Sequence, residues 1–174
     1  MDSVAARDVI AAPRRILAIF NPAAGRNRRR RFDVVVAALR RTGCQVTVRA
    51  TEAPGHAESM AREASPADYD VIASAGGDGT INEIVNGLRG RDIALGIIPL
   101  GTANVVADEI GLSKTPGDVA RTLATGPIRP IRVGIANGRR FVMMTGIGFD
   151  ANVVSATERI TRVLAVNVTG SFLC

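Results

Sequence analysis

Between residues 15 and 124 this chain alternates short apolar runs with stretches of helical period, and that alternation leaves few folds open. Arg15-Ile16-Leu17-Ala18-Ile19-Phe20 reads as a first buried strand. A helical stretch follows from about Arg28 to Arg41, with Val34, Val35, Ala38 and Leu39 on its inward face, and Gly43 ends it. Gln45-Val46-Thr47-Val48-Arg49 alternates with period two, as a strand does. Residues 55–64 read as a helix entered through Pro54-Gly55, and the third strand lies near 69–74. Ile93-Ala94-Leu95-Gly96-Ile97-Ile98 is a fourth strand, followed by helices near 105–110 and 117–124. Alternation of this kind specifies a parallel sheet with helices on both faces.

On such a sheet, ligands bind at the carboxyl ends of the strands. Three candidate turns fall there: Asn21 to Gly25, Gly76 to Thr80, and Gly101 to Asn104. The middle one, within Ser74-Ala75-Gly76-Gly77-Asp78-Gly79-Thr80-Ile81-Asn82-Glu83, carries the most chemistry. Glycines let the backbone approach a ligand closely, and a following helix offers unpaired N–H groups at its positive end. That suits phosphate. A carboxylate beside phosphate is unfavourable unless it holds a metal ion or handles a proton, which makes Asp78 the chemical candidate. An ordinary tight turn is the competing explanation for this segment alone. The three turns together argue for one phosphate-binding crevice. Neither a Gly-x-x-x-x-Gly-Lys-Ser/Thr run nor a Gly-x-Gly-x-x-Gly at the first strand is present.

The pattern changes after about residue 127. Ile128 to Ala136, then Asn137-Gly138, then Arg139 to Gly146 reads as a β-hairpin, because Asn-Gly between apolar runs is a strong hairpin signal. The expected organisation is a leader over 1–13, an α/β domain over 14–127, and the incomplete start of an antiparallel, β-rich domain over 128–174.

Charge is unevenly placed. The net charge is +6, yet the first 49 residues hold eleven arginines and three acidic residues, and Arg28-Arg29-Arg30-Arg31 is an unbroken run. Such a run is most often a solvated helix face; it can also attract nucleotide phosphates or anionic lipid headgroups. Aromatic residues make up only 3% of the chain and Trp is absent, which argues against the stacking platforms of single-strand nucleic-acid binders. Two cysteines, Cys44 and Cys174, make neither a metal spacing nor a disulfide framework. One histidine, His56, cannot build a histidine metal cluster. No apolar stretch reaches membrane-spanning length, and a cytoplasmic protein is the expectation.

With these motifs in order, the chain resembles the diacylglycerol kinase catalytic-domain family, and more narrowly the bacterial lipid kinases related to diacylglycerol and sphingosine kinases. The matching pieces are Phe20-Asn21-Pro22-Ala23-Ala24-Gly25, Thr51 with Gly55-His56-Ala57, Gly76 to Glu83, Pro99 to Asn104, and Gly146-Ile147-Gly148-Phe149-Asp150. The resemblance implies an ATP-binding domain of the kind shared with NAD kinases and phosphofructokinases, and transfer of the γ-phosphoryl group to a lipid hydroxyl. It implies that Gly76, Gly77, Asp78, Gly79 and Thr80 form the phosphate loop, with Ile81, Asn82 and Glu83 at the helix start. Asn21, Thr51, Gly101 and Thr102 would contact the nucleotide, Asn104 would shape the site, and Asp78 would orient Mg²⁺–ATP or assist proton removal. Arg26 is a further phosphate candidate. The implied partners are ATP, Mg²⁺, a lipid acceptor and peripheral contact with an anionic membrane at its inner face, without nucleic acid; a homodimer is left open.

Three departures from the family pattern stand out. Asn104 is followed by Val105 where the family often has Asp, with Asp108 one helical turn on. Ile131-Arg132-Val133-Gly134 lacks an Asp often found in the hairpin strand. The family also continues through a second domain that supplies the lipid pocket and the residue usually assigned as catalytic base. The expectation is a nucleotide-binding part truncated in that domain. A NAD kinase-like enzyme and a non-catalytic nucleotide-binding or membrane-associating fragment are the alternatives. Short of the family, Thr102 reads equally well as a cap of the helix after it, Asp150 as a helix N-cap, and Met143-Met144 as core.

Overall fold

A computed structural model describes residues 13–24 and 26–142. Residues 1–12 of the leader, the Gly146–Asp150 motif, Met143-Met144 and the tail lie outside the described residues. In chain order the elements are β1 (Arg15–Phe20), a 3-10 turn (Pro22–Ala24), α1 (Arg26–Arg41), β2 (Gln45–Ala50), α2 (His56–Glu63), β3 (Val71–Gly76), α3 (Asp78–Gly87), β4 (Ala94–Pro99), α4 (Val105–Glu109), α5 (Pro116–Thr125), β5 (Gly134–Ala136) and β6 (Arg139–Phe141).

The first four strands form one parallel sheet in the order β2-β1-β3-β4. Ile16 pairs with Val46 on one side and Val71 on the other, and Val71 pairs in turn with Ala94. Alternation along β1 divides the core. Ile16, Ala18 and Phe20 pack with Phe32, Val35 and Leu39 of α1 and with Val119 and Leu123 of α5. Leu17 and Ile19 pack on the other face with Met60 and Ala61 of α2 and Ile84 of α3. A third cluster joins Ile81 and Val85 of α3 to Ile97 and to Val106 and Ala107 of α4. β1 and β3 are buried along almost their whole length, the mark of central strands in a parallel sheet. β2 is an edge strand and mostly exposed, so its period-two alternation is less telling than the sequence suggests.

The strand order reverses between β1 and β3. The chain leaves β1 for β2 on one side, and β3 and β4 extend the sheet on the other. The crevice at such a switch point is where open α/β sheets bind ligands. Asn21 and Gly77, the residues that follow β1 and β3, stand at its mouth.

Two boundaries differ from the sequence expectation. β3 runs two residues further, to Gly76, and α3 already begins at Asp78, so the glycine turn shrinks to Gly77 alone. The backbone of Gly76 and Gly77 stays extended because Gly76 still pairs with Pro99. The first hairpin strand is also shorter than expected: β5 holds three residues and 128–133 forms no strand, while β6 covers Arg139–Phe141 and residues 143–146 of its expected span lie outside the described residues. Pro130 interrupts that stretch and cannot donate to a ladder. Its turn is as the sequence implies: Asn137 (φ 49°) and Gly138 (φ 76°) both have positive φ, the signature of a type I′ turn.

Candidate active site at the carboxyl edge of the sheet

Four chain segments meet where the parallel strands end, in the spatial order Thr51, Asn21, Gly77, Gly101. Each is tied to its neighbour through the backbone. Thr51 N–H donates to Phe20 O at 2.9 Å, and Asn21 N–H donates to Ala75 O at 2.9 Å. Gly76 O accepts the N–H groups of both Leu100 (2.9 Å) and Gly101 (3.0 Å).

Gly77 and Gly101 bring the two glycine turns into contact. A Cβ built on Gly101 would stand 2.6 Å from Gly77 Cα, and one on Gly77 would stand 3.3 Å from Gly101 Cα. Gly77 has φ −98° and ψ −171°, an extended conformation open to any residue. Glycine is needed here for space and not for its dihedral freedom. Gly76 has the same constraint, since a Cβ there would meet Thr80 Oγ1 at 2.4 Å. Side chains finish the turns. Asn21 Oδ1 accepts Ala23 N–H at 3.1 Å, and Asn21 Nδ2 donates to Thr80 Oγ1 at 3.3 Å. Asn104 takes a left-handed conformation (φ 52°, ψ 44°) and closes on Gly101, accepting its N–H and donating to its carbonyl, both at 2.7 Å.

Asp78 opens α3, where an acid complements the helix dipole, and the helical geometry leaves the N–H groups of Asp78 and Gly79 without an intrahelical acceptor. Its carboxylate turns to the next helix. Oδ2 accepts Val105 N–H and Oδ1 accepts Val106 N–H, each at 3.1 Å. Asp78 therefore caps α4 from 27 residues away, and this corrects the reading of Thr102 as the cap. Thr102 is exposed, and its Oγ1 accepts a hydrogen bond from Arg28 Nη2 at 2.8 Å.

Not every sequence candidate reaches the crevice. Ile81 is 2% exposed and packs in the α3–α4 core. Glu83 faces α2, where its two oxygens accept the N–H groups of Gly55 (2.9 Å) and Ala57 (3.1 Å). Asn82 Oδ1 is buried without a hydrogen-bond partner in the described residues. Asp108 is exposed and pairs with Lys114 at 2.6 Å. The side chain of Arg26 lies outside the described residues. Arg28 was not singled out in the sequence from the rest of its run; only its contact with Thr102, 74 residues on, distinguishes it.

The geometry can receive an anion: a switch-point crevice, two glycine turns in backbone contact, and a helix start whose first turn carries the neutral Thr80 hydroxyl, bonded to Asn21. Residues 15–136 match the diacylglycerol kinase catalytic domain. The diacylglycerol kinase of Bacillus subtilis is 38% identical over 136 residues, which cover 75% of this chain and 44% of that protein. A Pseudomonas aeruginosa protein named "Probable lipid kinase YegS-like" is 39% identical over 132 residues, 74% of this chain and 43% of its own length. A crystal structure of a diacylglycerol kinase from Bacillus anthracis superposes with a TM-score of 0.62 at 27% identity, covering 75% of this chain and 50% of the other. The chain thus spans about half the length of these relatives or less. It belongs to the diacylglycerol kinase catalytic-domain family.

Proposed function

We propose that this chain is the nucleotide-binding part of an ATP-dependent lipid kinase, and that the nucleotide phosphates sit across the Gly77–Gly101 contact. The observation that carries the reading is the backbone contact of these two turns at the switch point of the sheet. Phosphoryl transfer asks mainly for positioning and charge neutralisation, which backbone N–H groups and cations supply. The N–H groups at the start of α3 would bind phosphate oxygens, and Thr80, held by Asn21, would offer its hydroxyl.

Asp78 fits a Mg²⁺ that arrives with the nucleotide. A carboxylate offers about four lone-pair sites, and Val105 and Val106 take one at each oxygen. Mg²⁺ is commonly held by about one or two carboxylates together with substrate phosphates and water. Among the described residues no group of three or more His, Cys, Asp or Glu could hold a metal by itself, so in this reading the phosphates complete the Mg²⁺. When bound, it would neutralise charge on the phosphate oxygens. Asp78's own part is to fix α4 and Gly101 against the start of α3.

The acceptor in this reading is a diacylglycerol-like lipid hydroxyl, met by peripheral contact with an anionic membrane at its cytoplasmic face. No helix among the described residues is long and apolar enough to cross a membrane. The test is Mg²⁺–ATP binding by calorimetry on the 174-residue chain and its Gly77→Val variant. Saturable binding that Gly77→Val weakens at least tenfold is expected. Absence of binding to a chain shown by circular dichroism to be folded would overturn the reading.

A further inference from the structure

The first turn of α1 breaks a local rule. It carries no acidic residue, and the arginine run crowds the N-terminal half of the helix, where the dipole favours anions. Such violations concentrate at functional sites. The members of the run differ in what they touch. Arg29 pairs with Asp33 at 3.0 Å and lies 5.3 Å over the Phe20 ring. Arg31 donates to the carbonyl of Lys114. Arg30 is exposed. Arg28 alone of the four reaches a glycine turn of the site, through its Nη2 donor to Thr102 Oγ1 at 2.8 Å.

That partner is a neutral hydroxyl. Among the described residues Arg28 has no carboxylate partner, although a guanidinium carries five N–H donors in a planar fork suited to phosphate. The crevice otherwise offers neutral donors and the negative charge of Asp78. A triphosphate carries more negative charge than the one Mg²⁺ proposed above neutralises, which leaves room for a side-chain cation.

We infer that Arg28 is a phosphate-binding residue of this site, exchanging Thr102 Oγ1 for oxygens of the terminal phosphates of the nucleotide. The inference rests on the nucleotide reading above and adds to it a residue that sets preference for phosphate number. The shared chemistry with a lipid headgroup is a phosphate oxygen, so the test separates the two sources.

Calorimetry on the 174-residue chain and on Arg28→Ala, Arg28→Lys and Arg30→Ala would use Mg²⁺–ATP, ADP and adenosine. Vesicles containing phosphatidylglycerol would be tested in parallel. The expected result is an ATP affinity about tenfold weaker in Arg28→Ala, in the range of a charged hydrogen bond, with a smaller loss for ADP and none for adenosine. Arg28→Lys should recover part of it, and Arg30→Ala should stay within about twofold of the parent. Equal losses in Arg28→Ala and Arg30→Ala, or an unchanged ATP affinity in Arg28→Ala, would overturn the inference and leave the nucleotide reading standing. So would loss of vesicle binding alone. A folded parent chain that binds no nucleotide would overturn both.

Discussion

Glu83 accepts the backbone N–H of Gly55 at 2.9 Å, and in doing so a helix of the glycine motif holds the start of the helix beside it. Its second oxygen accepts Ala57 N–H at 3.1 Å. Gly55, at φ 82°, has no side chain to cap α2, so the cap comes from α3, 28 residues on. Asp78 does the same for α4. α3 therefore fixes the helices on either side of it with its own carboxylates, and the loops carrying Thr51 and Gly101 are positioned by the element that begins at the Gly77 turn.

Glu83→Ala should leave both α2 donors without their acceptor and destabilise the fold by about 1–3 kcal/mol. Glu83→Gln keeps one acceptor oxygen and should lose about half as much. Urea unfolding gives the total, and amide exchange at Gly55 and Ala57 should rise well before that of β1.

The same substitution at two glycines should have opposite signs. Gly101→Ala places a Cβ 2.6 Å from Gly77 Cα and 2.7 Å from Asn104 Oδ1, where only backbone movement relieves it. A loss of about 1–3 kcal/mol is expected. Gly117, in the first turn of α5, has nothing within 4 Å of its would-be Cβ. Gly117→Ala should stabilise by up to about 0.5–1 kcal/mol through helix propensity. Thermal melts of both variants check the contrast.

Asn86, near the end of α3, grips the hairpin. Its Oδ1 accepts Arg140 N–H and its Nδ2 donates to Arg140 O, both at 2.9 Å, so the amide pairs with β6 as a neighbouring strand would. Arg139 adds an ion pair to Glu58 of α2 at 2.8 Å. A two-stranded hairpin is marginal alone. Asn86→Ala should release it, raising amide exchange at Arg140 at least tenfold while β1 and β3 keep their protection. Unchanged exchange at Arg140 would mean that other contacts hold β6.

β1, β3 and β4 were legible because they are apolar runs that the fold buries wholly or in large part, and reading them needs no long-range information. Asn137-Gly138 was legible because its turn type depends on two adjacent residues. The roles of Asp78, Glu83 and Arg28 were not. Their partners lie 27, 28 and 74 residues away, and which backbone groups lack an acceptor emerges only after the sheet order is set. Ile81 was drawn into the site by its place in the motif, whereas the structure packs it with Val85, one helical turn on, in the core.

At the opposite edge of the sheet, Arg15 and Asp70 tie β1 to the start of β3. Asp70 Oδ2 accepts Arg15 N–H at 2.7 Å, and Oδ1 accepts Nη2 at 2.7 Å. The side-chain hydrogen bond from Arg15 is the main cause that holds the Asp70 carboxyl below its ordinary range, against the opposing effect of burial. A carboxyl whose pKa is lowered on folding adds stability above its unfolded pKa and loses it as pH falls through the folded one. The Asp70 side chain is 41% exposed, so solvent screening limits the gain, and Asp70→Asn should cost about 1 kcal/mol at pH 7. The gap between parent and variant should close as pH drops below about 4, the ordinary Asp range, and vanish where Asp70 is protonated in both states. Urea unfolding of both proteins across that range is the measurement. A gap independent of pH would mean that Asp70 acts through packing and not through its charge.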